Sequence, residues 1–139
     1  MGEWGAKRAG KPAAALAALG ERSLQALEAA HAFRIAGKEL RYVLEIIGGS
    51  LRITAVKVYE LLGDLQQRIG VICDQAAAQK MYQALLAKVS RPHRQPLRDA
   101  IATAKKEKAR RHRAFLRWWT PRRRAAFRKE LAKADLLKR

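Results

Sequence analysis

Apolar positions along this chain recur with the period of a helix. Leu51, Ala55, Val58, Leu62, Leu65, Ile69 and Ile72 follow one another at alternating spacings of four and three, which lines one face of an α-helix. The β-branched residues between Ile53 and Val58 favour a strand locally, but the sustained period outweighs them. Upstream, Ser23 is a candidate N-cap for a long helix running to Ile47 and stopped by Gly48-Gly49, with Ser50 capping the next. Pro12 opens a shorter helix that ends at Gly20, and residues 1–11 read as a loose basic tail. Gly70 interrupts the long stripe, and Asp74 caps a further helix to about Lys88. The run Arg91-Pro92-His93-Arg94-Gln95-Pro96 is a break, with Pro96 in the first turn of a helix ending near Trp119. Thr120-Pro121 is a cap followed by a proline at the first helical position, which opens a last basic helix.

Short links between long amphipathic helices make sequential neighbours antiparallel. The expected architecture is therefore all-α: an antiparallel up-and-down bundle of about four long helices plus a C-terminal basic helix. Residues 1–22 are expected to be a flexible tail with a short helix, and residues 23–139 the bundle. No nucleotide-binding glycine loop, strand pair or fixed-period repeat appears.

Composition narrows the function. The 139 residues are 49% hydrophobic and 30% charged, which suits one packed domain rather than a disordered chain. One cysteine excludes an internal disulfide framework and a multi-cysteine zinc site. No apolar run approaches a membrane span. Lys7, Arg8 and Lys11 before an Ala-Leu stretch faintly resemble a signal peptide, but Ala13–Leu19 is too short and too alanine-rich. The default expectation is a soluble cytoplasmic protein.

Charge changes the picture most. Thirty Lys and Arg against 12 Asp and Glu give +18. Of these, 12 basic and 8 acidic residues lie in residues 1–90 and 18 and 4 in residues 91–139, so +14 falls in the last third. Such a field repels itself unless a polyanion is near. On a wheel of the first long helix, Arg34, Lys38, Arg41 and Glu45 fall within about 80° of His31. Ala29, Phe33, Ala36, Leu40, Val43 and Ile47 gather on the far side as the core stripe. The near side is a ladder of cations, whose mutual repulsion of a few tenths of a kcal/mol per pair gives the helix nothing by itself. Guanidinium forks and ammonium groups suit phosphate oxygens. The bland alternative is a solvated face with Glu39 and Glu45 as counterions.

The segment His31-Ala-Phe-Arg34-Ile35-Ala-Gly-Lys38-Glu-Leu40-Arg41-Tyr42-Val-Leu-Glu45 resembles the signature helix of the conserved-histidine α-helical domain, CHAD. Leu65-Gln66-Gln-Arg-Ile69-Gly70-Val-Ile-Cys-Asp74 resembles the family's second segment, and Phe115-Leu-Arg-Trp118-Trp119 sits where the family often closes its fourth helix. The likeness spans roughly residues 23–119. It implies non-enzymatic binding of inorganic polyphosphate in a basic channel between two homologous helical halves, with no cofactor and with polyphosphate granules as a location. The sequence holds one copy of the signature, in the version that resembles the second half. The facing wall would then come from a homodimer partner or another CHAD-like half. Leu24, Leu27, Ile35 and Tyr42 border the ladder on the wheel and would rim that contact.

The fourth helix adds more cations. Lys105, Lys108 and His112 interleave with the apolar residues Leu97, Ile101, Phe115 and Trp119, and with Arg111 they join His31, Arg34, Lys38 and Arg41 as candidate polyphosphate ligands. Lys106, Arg110, Arg113 and Arg117 lie opposite, where solvation or a diffuse electrostatic funnel is expected. A nucleic-acid binder is the second reading, since +18 serves it equally. Only Trp118-Trp119 offers aromatics among arginines for stacking. An enzyme is disfavoured because no paired carboxylates for a metal share the basic face.

Overall fold

The computed structural model describes residues 3–47, 53–134 and 136. Those residues form helices α1 (Glu3–Glu21), α2 (Leu27–Ile47), α3 (Ile53–Leu86), α4 (Arg91–Trp118) and α5 (Pro121–Lys133), with no strand among them. The all-α expectation holds. Helix α3 is the hub: α2, α4 and α5 all pack on it, while α1 packs on α2 and α5. The core stripe Ala55, Val58, Leu62, Leu65, Ile69 and Ile72 is buried along α3. Gly48-Gly49 and Ser50, the expected stop and cap, and Leu51 at the head of the stripe lie outside the described residues.

Several boundaries differ from expectation, each for a packing reason. Of the segment expected to be a loose tail, residues 3–11 are the start of α1, and Pro12 lies inside that helix rather than at its head. Pro12 forfeits one backbone hydrogen bond, but Ala9, Ala13 and Leu16, spaced four and three apart, are fully buried on the same helix. That burial offsets the loss. Helix α2 begins at Leu27, not after Ser23. The intervening link is pinned instead: Leu24 is buried, and the His112 Nε2–H donates to its carbonyl at 2.7 Å. Asp74 starts nothing, because α3 runs unbroken through it and through Gly70. Helix α4 begins at Arg91, with Ser90 at the N-cap and Pro92 in the first turn, so Pro96 sits inside it. Thr120 does cap α5, its hydroxyl accepting from the Arg123 amide at 3.2 Å.

The bundle closes around aromatic rings. Trp119 meets Phe33 at 5.3 Å, Phe127 at 5.7 Å and Phe115 at 6.4 Å between centroids, and its Nε1–H donates to the Gly20 carbonyl at 3.2 Å. This ties α1, α2, α4 and α5 at one end of the molecule. At the other end the bundle opens out. No residue from Asp74 to Thr103 is buried, so the distal half of α3 and the first half of α4 form a two-helix arm beyond the core.

Candidate functional site

On α2 the buried residues are Ala30, Phe33, Ala36, Gly37, Leu40 and Leu44. This arc is rotated by about 40° from the stripe read in the sequence, toward Arg34 and Arg41. Small residues cause the rotation. Gly37 lets α2 approach so closely that a Cβ there would meet Leu65 Cδ2 at 3.5 Å, Leu62 Cδ2 at 3.7 Å and Leu16 Cδ1 at 3.8 Å. The ladder is thereby turned partly into the α2–α3 seam: Arg34, Lys38 and Arg41 are half-buried, and His31 remains exposed.

The two helices run antiparallel, so the ladder meets α3 in descending order. His31 Nδ1 lies 3.6 Å from Cys73 Sγ. Arg34 crosses Gly70, where a Cβ would stand 3.7 Å from its Nε. The Arg34 Nε is buried and makes no hydrogen bond. Arg41 donates from Nη1 to Gln66 Oε1 at 3.2 Å and from Nη2 to the Tyr59 hydroxyl at 3.0 Å. Its guanidinium carbon stands 4.7 Å from the Tyr59 ring centroid. The Tyr59 hydroxyl in turn donates a hydrogen bond to Glu45 Oε1 at 2.8 Å, and Arg41 Nε stands 3.4 Å from the same carboxylate oxygen. Lys38 Nζ is 5.5 Å from the Tyr42 ring centroid.

This geometry sorts the ladder. Arg41 is held by three side chains, Gln66, Tyr59 and Glu45, and the hydrogen bond to Tyr59, against a smaller opposing effect of burial, pushes its pKa further above the ordinary value. It stays cationic and its reach is fixed. Arg34 and Lys38 have no hydrogen-bonded or ion-paired carboxylate among the described residues. Burial pushes the Cys73 thiol up, with Asp74 adding to that and the nearby Arg34 charge working against it. Next to His31 an apolar groove of about 420 Å³ runs between the helices, lined by Leu27, Ala32, Ile35, Cys73 and Ala77 among others.

The candidate residues of α4 do not join this site. On α3, Gln66, Gly70 and Cys73 share one side, whereas Asp64, Arg68 and Val71, which line a pocket with Arg111 and Phe115, point roughly 100–180° away. Helix α3 therefore stands between the two sets. Lys108 donates to Gln79 at 2.8 Å and Arg111 pairs with Glu107 at 2.7 Å. Lys105 is exposed, and His112 is occupied with the Leu24 carbonyl. In their place α3 supplies Tyr59, Gln66, Gly70 and Cys73. Gln66 and Gly70 stand in the second segment that carried the resemblance; Tyr59 gave no signal, since a tyrosine on an amphipathic helix reads as core.

The site thus belongs to a class of helical domain that offers a row of cations along one helix, half-sunk against a second. A family model for the CHAD domain matches residues 1–83, more than half of the chain, and the chain belongs to the CHAD domain family. The match takes in α1, α2 and most of α3; it stops short of α4 and α5, so Phe115, Trp118 and Trp119 fall outside it. Comparison with curated proteins and with solved structures returned no match. Among the described residues no helix is long and apolar enough to cross a membrane.

Proposed function

We propose that the α2–α3 seam binds inorganic polyphosphate without transforming it, through Arg34 and Lys38, with His31 at one end and the fixed Arg41 cation at the other. The observation that carries this reading is the Arg34 guanidinium: cationic, half-sunk, with a buried Nε that makes no hydrogen bond, beside a glycine that adds no bulk. An unmet N–H in a partly desolvated place is costly, and a phosphate oxygen is the partner that a guanidinium fork accepts best. The rungs are three to four residues apart, a rise of about 4.5–6 Å each. A chain of anions satisfies such a row better than a single ion.

Two copies of the chain complete the reading. Ile35, Tyr42 and Ile46 are 43%, 50% and 80% exposed and form an apolar border beside the ladder. Leu24, expected in that border, is buried in the link before α2, and Leu27 is half-buried. A two-fold pairing across this border faces one ladder with another.

Arg34→Gln with Lys38→Gln tests the site. Arg41 is kept, because its removal strands Glu45 and Tyr59. The double variant should retain helicity and lose polyphosphate affinity at least tenfold, with a flatter salt dependence. Replacing Arg122, Arg123 and Arg124 by Gln should change affinity by less than threefold. Equal losses in both variants would mean that bulk charge, not this seam, binds the ligand.

A further inference from the structure

Most of the positive charge is elsewhere. Residues 1–83, which match the family model, hold 11 basic and 8 acidic residues; residues 84–139 hold 19 and 4, so +15 of the +18 lies outside the match. Lys106, Arg110, Arg113 and Arg117 are all exposed and fall within about 60° on α4, a row about 16 Å long with steps of roughly 4.5–6 Å. Ala104, Lys108, Phe115 and Trp118, which are buried or half-buried, point to the opposite side of α4. The row therefore faces away from α3 and from the ladder. Only Arg110 of the four pairs with a carboxylate among the described residues, Glu107 at 2.6 Å.

At the same end of α4 as the last rung, about 110° around the helix from the row, stands an aromatic plane dressed with guanidinium groups. Arg68 and Arg123 place their guanidinium carbons 4.4 and 4.5 Å from the Trp118 ring centroid, and Arg123 Nε donates to the Trp118 carbonyl at 2.9 Å. A guanidinium held against an aromatic ring is a rigid, flat cation on which a nucleobase stacks. Inorganic polyphosphate has no flat group to use it.

We infer that the outer face of α4 and, around the helix from its last rung, the Arg123–Trp118 plane form a second site that binds single-stranded nucleic acid through its phosphates and a stacked base. The site is distinct from the polyphosphate seam. Its specificity is for a base-bearing strand rather than for a sequence, since the row offers phosphate contacts and one stacking plane but no recognition element for a groove.

The test is fluorescence anisotropy of the full chain with a labelled 20-nucleotide uridine RNA across a salt series. The variant K106Q/R110Q/R113Q/R117Q, whose exposed positions leave the fold and its circular dichroism unchanged, should bind at least tenfold more weakly. Its log–log salt slope should be smaller by about three, from four lost contacts on a single strand. An abasic oligomer of equal length should bind native protein about fivefold or more weakly than the RNA, and R123Q should close that gap. R34Q/K38Q should bind RNA within threefold of native while losing polyphosphate. The inference is overturned if the α4 variant binds like native, if R34Q/K38Q loses RNA as severely as it loses polyphosphate, if abasic strand or inorganic polyphosphate competes as well as RNA per phosphate, or if duplex is preferred to single strand.

Discussion

At the scale of single residues, the site turns on what stands opposite each rung. Gly70 lies in the middle of α3, where glycine weakens a helix by roughly 0.5–1 kcal/mol relative to alanine. The room it leaves goes to Arg34, 3.7 Å from where a Cβ would be. That distance is ordinary contact, so Gly70→Ala should stabilise the fold by up to about 1 kcal/mol in urea melts and leave polyphosphate binding intact. Gly70→Leu should push Arg34 out of the seam and lower affinity severalfold. A Gly70→Leu protein that binds like native would show that Arg34 does not act from this position. Arg41 is a different kind of residue: with Tyr59, Gln66 and Glu45 around it, its replacement by glutamine is disruptive rather than neutral, as a freely repelling ladder would have implied. The ladder itself was legible in the sequence because its spacing follows the helix. The division of labour within it was not, since that depends on side chains of α3 that no periodicity on α2 reveals.

Helices were legible wherever burial and punctuation agreed. Thr120-Pro121 marks α5 in both sequence and structure, and the α3 stripe from Ala55 to Ile72 is buried as its spacing implies. The misread boundaries are those where punctuation was overruled by packing. Pro12 and Pro96 lie within helices, and Asp74 is simply an exposed residue of α3. The arm of distal α3 and early α4 was not read from the sequence, although the α3 stripe lapses there: Gln79 and Gln83 stand where its next apolar residues would fall. Within α4, Glu107 is the counterion that makes a dense basic segment tolerable. Its hydrogen bond from Arg110, then that from Arg111, lowers its carboxyl from 4.5 to about 2. A lowered carboxylate pKa contributes stability that is present above about 4.5 and is lost as pH falls through about 2. Acid titration of helicity should therefore show a component between those values in native protein that is absent in Glu107→Gln. Identical profiles would mean that the Glu107 pairs are too exposed to matter.

For the whole molecule, charge and apolar surface oppose each other. Two chains of +18 repel over a Debye length of about 8–10 Å at physiological salt, yet the border of Ile35, Tyr42 and Ile46 favours pairing. Light scattering should find monomer at low salt and a dimer on adding polyphosphate or sulfate. Strict monomer throughout, with tight polyphosphate binding, would refute the paired-ladder arrangement and leave a single open seam as the site. The same separation of faces places the family's signature on one side of α3 and the exposed cation row of α4 on the other. Net charge alone therefore points to a different surface from the one proposed for polyphosphate, which the pairing of α2 with α3 singles out. The most direct measurement is an NMR titration of the arginine Nε–H resonances with long-chain polyphosphate. The Arg34 Nε–H, buried and without a hydrogen bond in the free protein, should shift first and at substoichiometric ligand, while those of Arg113, Arg117 and Arg122 move late and together. An unmoved Arg34 resonance while the α4 and α5 arginines shift would contradict the account.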